Sequence, residues 1–122
     1  MISEKGKTGI MIIAIPTIDR QVCLHFGHCE QFALVEVDQA AKTIIKVDYV
    51  TPPPHEPGVL PGWLHEKGAN VIIAGGMGQR AQGLFARNGI EVVVGAANGT
   101  PEEIATGYLN RTLVTGRNPC GH

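Results

Sequence analysis

Two segments of this chain are apolar at every position, and they limit the fold more than any other feature. They are Ile10-Met-Ile-Ile-Ala-Ile15 and Val71-Ile-Ile-Ala74. A strand with one wet face alternates apolar and polar residues, whereas an unbroken apolar run has to be covered on both faces. Such cover comes from helices, and helical stretches follow at the right places. One spans about Leu60 to Lys67 and stops at Gly68, a second runs from Gln79 to Asn88 and is closed by Gly89. The third starts at Thr100-Pro101-Glu102-Glu103, with Thr as N-cap, Pro at the first position and Glu at the third, and is expected to reach about Leu113. Phe32–Val37, Thr43–Val50 and Glu91–Gly95 read as further strands, the first two joined by the short connection Asp38-Gln-Ala-Ala-Lys42.

Three strands followed by two strand–helix units predict an α/β fold. Right-handed crossovers between parallel strands then leave one favoured topology, a mixed five-stranded sheet in the order 3-2-1-4-5. Its second strand is antiparallel, and helices cover both faces. One domain over 10–114 is expected, since 122 residues suffice to bury a core without staples. The polar leader 1–9 and the tail 115–122 are expected to be flexible.

In this topology one edge of the sheet collects the loop after the first strand, the Pro52-Pro-Pro-His55-Glu-Pro57 segment and the turns after the fourth and fifth strands. Ligands of open α/β sheets bind at this carboxyl edge. Cys23, His25, His28, Cys29, His55 and Gly75–Gly78 all fall there. The last helix should run away from it, so the tail carrying Cys120 and His122 is expected to start at the opposite end.

Composition excludes several functions. Ten Lys and Arg against eleven Asp and Glu leave a formal charge of −1, with no basic cluster to hold phosphates, so no nucleic acid is expected. No apolar run approaches the roughly 18 residues of a membrane span, and the leader lacks a signal-peptide core. Three cysteines suit a reducing compartment better than a disulfide framework, and a cytoplasmic location is expected.

The residues that carry chemistry are concentrated in two places. Cys23-Leu-His25-Phe-Gly-His28-Cys29 holds two thiols and two imidazoles. Both are soft-to-borderline ligands suited to copper, zinc or iron–sulfur species rather than magnesium or calcium. The His25-x-x-His28 spacing lets a tight turn bring both rings to one ion. Either cysteine serves equally well as a core residue, because free Cys is among the most buried types. Gly75-Gly76-Met77-Gly78 opens a helix whose first amides favour an anion, and small residues permit close approach. No Gly-Lys-Ser/Thr follows, so this is not a Walker loop, and a full Gly-x-Gly-x-x-Gly pattern is lacking too. Arg20 and Arg80 lie near the same edge and could add positive charge; a solvated surface arginine is the alternative for each. Met77 either contacts the ligand or fills a gap. A nuclease reading lacks clustered carboxylates, and a cysteine-nucleophile reading lacks an orienting third residue.

Met11-Ile-Ile-Ala-Ile-Pro16, His25-Phe26-Gly27-His28 before a strand, Ala74-Gly75-Gly76-Met77-Gly78 before a helix, and Gly95-Ala96 after the last strand together resemble the dinitrogenase iron–molybdenum cofactor biosynthesis family. The resemblance covers nearly the whole chain from about Met11. It implies a ribonuclease H-like fold and a carrier or scaffold for a metal–sulfur cluster, not an enzyme. The small single-domain build is similar to the orange-protein-like members from anaerobes, which implies a molybdenum-containing cluster of molybdenum–copper sulfide or iron–molybdenum type. It also admits an interaction module that delivers to, or controls, another metalloprotein.

Overall fold

The computed structural model describes residues 9–23, 29–53, 58–96, 99–113 and 116. Its strands are β1 (Ile10–Ile18), β2 (Gln21–Val22), β3 (Gln31–Asp38), β4 (Thr43–Val50), β5 (Val71–Ile73) and β6 (Glu91–Val93). Its helices are α1 (Val59–Glu66), α2 (Gln79–Arg87) and α3 (Pro101–Asn110). The sheet order is β4-β3-β1-β5-β6, with β2 paired to β1 off that path. β3 is antiparallel to β1 and β4, while β5 is parallel to β1 and β6. This is the expected order, with one strand added.

The unbroken apolar runs are explained by two cores. Ile13, Ile15, Val35, Val71 and Ile73 point to one face and pack under Ile104, Ala105 and Leu109 of α3. Ala14, Phe32 and Ile72 point to the other face, against Leu60 and Leu64 of α1 and Phe85 of α2. Alternation persists in geometry, but both faces are dry, so every position is apolar. Among the described residues no helix is long and apolar enough to cross a membrane.

Three local features differ from expectation. β1 runs three residues past Ile15, through Pro16, because proline lacks only a donor; its carbonyl still accepts from the Cys23 N–H at 2.8 Å. A two-residue strand, β2, then folds back on β1, so the sheet has six strands rather than five. α3 ends at Asn110 rather than Leu113, since Arg111 takes the left-handed conformation at φ 59°. Thr112 and Leu113 both donate to the Gly107 carbonyl there, at 2.8 and 3.0 Å.

The chain also does not stay at the far end after α3. Gly116 N–H donates to the Gly95 carbonyl at 2.7 Å, which brings this segment back to the carboxyl edge. Residues 1–8 of the leader lie outside the described residues, as does the tail apart from Gly116.

The start of α3 follows its sequence signature closely. Thr100 Oγ1 accepts from Glu103 N–H at 3.2 Å, and Glu103 Oε1 accepts from Thr100 N–H at 3.0 Å. Thr100→Ala is expected to lower stability by about 1 kcal/mol in urea denaturation, the usual worth of such a cap. Phe85→Ala, which empties a fully buried site, should cost roughly 3–5 kcal/mol in the same measurement.

Candidate functional site

A tight hairpin organises the carboxyl edge. Asp19 and Arg20, at φ 53° and 60°, form the two-residue connection between β1 and β2, a mirror-image turn that matches strand twist. This returns the chain alongside β1 and sets Cys23 next to the turn after β5. From there a run of backbone hydrogen bonds crosses the edge. Gly75 N–H donates to the Cys23 carbonyl at 3.2 Å, and Gly95 N–H donates to the Gly75 carbonyl at 2.9 Å. Gly116 adds the last rung on Gly95 at 2.7 Å. Val22 N–H donates to the Gly99 carbonyl at 2.9 Å, tying the start of α3 to the same place.

Across β1, Glu30 N–H donates to the Thr17 carbonyl at 2.8 Å. The segment between Cys23 and Glu30 therefore leaves and returns at the carboxyl end of β1, from its two opposite sides. His25 and His28 belong to that segment and lie outside the described residues, as does His55.

Gly75 and Gly76 are buried in the turn, and Gly78 caps α2 in an extended conformation with no side-chain hydrogen bond to the helix amides. The first turn of α2 contains no acid, and a Cβ on Gly78 would meet no atom within 4 Å. The helix start is thus open and electropositive, as an anion requires. Met77 fills a gap: it is 0% exposed and packs in the core with Leu64 and Phe85. Its carbonyl accepts from Gln82 Nε2 at 2.8 Å, which pins the turn to the first helical turn.

The two arginines share the edge but not the face. Arg80 is exposed in the first turn of α2. Arg20 lies over the Tyr49 ring at 5.1 Å, on the side covered by α3. Burial, then the Glu102 carboxylate, raise the Tyr49 hydroxyl pKa, and Arg20 opposes them.

Cys23 is buried at 3% exposure and Cys29 is half-buried; neither forms a disulfide. Burial, reinforced by Cys23 nearby, pushes the Cys29 thiol up to about 11. At neutral pH it holds its proton, which suits packing and makes it a poor nucleophile. Among the described residues no three His, Cys, Asp or Glu side chains are grouped to hold a metal ion. A cavity of about 580 Å³, lined by Gln39, Lys42, Val93, Tyr108 and Arg111 among others, sits at the opposite end of the sheet beside the β3–β4 hairpin. It contains none of the ligand-type residues of the edge.

Motif reading singles out neither Gly116 nor Gly95 as a site residue, although Gly95 opens the Gly95-Ala96 motif. Its φ is +89°, and a Cβ there would collide with the Gly116 carbonyl oxygen.

The fold has close counterparts among solved structures. The crystal structure of PH0822 aligns with a TM-score of 0.78 at 30% identity, covering 86% of this chain and 94% of that one. The apo form of the orange protein from Desulfovibrio gigas aligns with a TM-score of 0.68 at 23% identity, over 89% and 95% of the two chains. MJ0327 from Methanocaldococcus jannaschii aligns with a TM-score of 0.67 at 16% identity, over 89% and 97%. No curated protein matches the chain at a significant level. The dinitrogenase iron–molybdenum cofactor family matches residues 9–111, nearly all of the domain and both glycine-rich turns of its carboxyl edge, and the chain belongs to that family.

Proposed function

We propose that this protein is a non-enzymatic carrier or scaffold that holds a molybdenum-containing metal–sulfur cluster, of molybdenum–copper sulfide or iron–molybdenum type, at the carboxyl edge of its sheet. One observation carries the reading: the Gly75–Gly78 turn runs into an uncapped helix start and is hydrogen-bonded to Cys23, at the root of the His25-x-x-His28 segment. Family membership and the likeness to the orange-protein fold support it.

A thiometallate cluster is a large anion that brings its own sulfides. It needs donors and cations more than a complete cage of side-chain ligands. The amides at the start of α2 and the Arg80 guanidinium offer both, and the exposed Gly78 leaves room for close approach. Arg20 flanks the edge from the other face. His25 and His28 are the ligands for a metal with an open position, imidazole being a borderline-soft donor suited to copper. Cys23 and Cys29 flank the segment at its two ends. An exposed charge-based site of this kind weakens as salt rises.

Reconstitution with tetrathiomolybdate and Cu(I) without oxygen, followed by gel filtration and absorbance of the protein peak, tests this. Arg80→Ala, or Gly78→Leu, whose backbone conformation and free space accept a side chain, should each weaken retention about tenfold or more, as for a lost charge-assisted contact. His25→Ala with His28→Ala should also lower loading. Cys23→Ser and Cys29→Ser should keep most of it. Colourless cysteine variants beside fully loaded Arg80 and Gly78 variants would show a thiolate-ligated site instead.

The state of Cys29 gives a second check on cluster-free protein. Raised to about 11 from an ordinary thiol value of 9.0, it carries roughly 100-fold less thiolate at pH 8 than an ordinary thiol. Iodoacetamide should therefore modify it far more slowly than it modifies the unfolded chain, with the rate still rising past pH 9. A plateau near pH 9 in folded protein would contradict the buried environment.

A further inference from the structure

The sheet face under α3 is longer than the helix that covers it. β1 has nine residues and spans about 30 Å, whereas the ten residues of α3 span about 15 Å. The helix starts at the carboxyl edge, where the Gly99 carbonyl accepts from Val22, and ends at Asn110 before the face is crossed. Met11 and Ile44, which pack on that face near the amino end of β1, stay half-buried as a result. The cavity of about 580 Å³ opens there, past the end of the helix. Small-molecule sites fall in the same range, about 300–1,000 Å³.

Two kinds of residue line it. Val93, Tyr108, Leu109 and Leu113 supply apolar surface, while Gln39, Lys42 and Arg111 supply polar groups. Lys42 comes from the β3–β4 turn and Arg111 from the end of α3, so separate elements bring two cations to one cavity. Both hold the left-handed conformation, at φ 57° and 59°, which glycine or asparagine would adopt more easily. Neither is in an ion pair with a described carboxylate. The nearby acids are engaged elsewhere: Asp38 accepts from the Ala40 and Ala41 N–H groups at 3.0 and 3.1 Å, and Glu91 accepts from Tyr108 Oη at 3.2 Å. Burial, then Glu91, raise the Tyr108 hydroxyl pKa against the pull of Arg111, so this wall is neutral. Lys42 and Arg111 set against Glu91 leave a surplus of one positive charge.

We infer that this cavity is a second binding site, for a small organic monoanion whose carboxylate is held by Lys42 and Arg111 and whose apolar body lies against Val93, Tyr108 and Leu109. One negative charge matches the surplus at the mouth. The planar guanidinium of Arg111 can take a carboxylate through two parallel hydrogen bonds, and the Lys42 ammonium adds a point charge. The apolar body covers the part of the sheet face that α3 leaves open and removes it from water. The site shares no residue with the carboxyl edge, so its occupation does not require a cluster there.

Amide chemical-shift mapping on the cluster-free full chain, titrated with phenylacetate, isovalerate and their neutral amides, tests this. At least one of the two carboxylates should bind at about 1 mM or tighter, within reach of ligands of this size. It should shift the amides of Lys42, Val93, Tyr108 and Arg111, and its affinity should fall as salt rises. The matching neutral amide should bind at least tenfold more weakly, since it forfeits the charge-assisted hydrogen bonds. Lys42→Met/Arg111→Met keeps an apolar stem at two exposed positions; it should also lose at least tenfold, with circular dichroism confirming the fold. Absence of saturable shifts with both carboxylates overturns the inference. So does equal affinity for the neutral amide, or wild-type affinity in the double Met variant. Shifts centred on Gly75–Arg80 would place the anion at the carboxyl edge and overturn it as well.

Discussion

β1 hydrogen-bonds along both edges, and every other element takes its place from that. β3 occupies one edge through eight paired positions from Ile10 to Thr17. The other edge is shared: β5 pairs in parallel at Ile13 and Ala14, and β2 pairs antiparallel at Thr17 and Ile18. A strand enclosed on both edges is also enclosed on both faces, here by α3 on one and by α1 and α2 on the other. That enclosure is what demands the unbroken apolar run, because a polar side chain at Ile13 or Ile15 would be desolvated without a partner.

The division of that second edge creates the candidate site. β5 stops at Ile73, and the chain turns through glycines rather than continuing beside β1. β2 and Cys23 occupy the space it vacates, and the Cys23 carbonyl accepts directly from Gly75. The segment that begins at Cys23 is thus joined by its backbone to the glycine turn that opens α2. Two kinds of chemistry meet at one edge because two strands share one neighbour.

Electrostatics at this edge favours an anion over a nucleophilic reaction. The start of α2 has neither a capping side chain nor an acid in its first turn, so its dipole is uncompensated. The one described thiol with access to solvent is kept protonated by burial and by its neighbour Cys23. A group that binds an anion with amides and arginine does not need that thiol ionised. The carrier reading requires only that these groups be held still, and the glycine ladder holds them.

Periodicity and local signals alone determined the strand order, the helices on both faces, the capping box at Thr100 and the placement of Cys23 and Gly75–Gly78 at one edge. Each of these follows from burial along one dimension or from residues within a few positions of each other. β2 was not legible, because two residues carry no period and Pro16 reads as a strand end although its carbonyl remains free to bond. The early end of α3 was hidden as well, since Arg111 is not a residue type that signals a left-handed turn. The face taken by Arg20 depends on Tyr49, a residue on another strand. The return of the chain to Gly95 was decided by the tertiary structure alone. It is made by backbone groups of two glycines 21 positions apart, and a contact between residues without side chains leaves no pattern of hydrophobicity or charge from which it could be read.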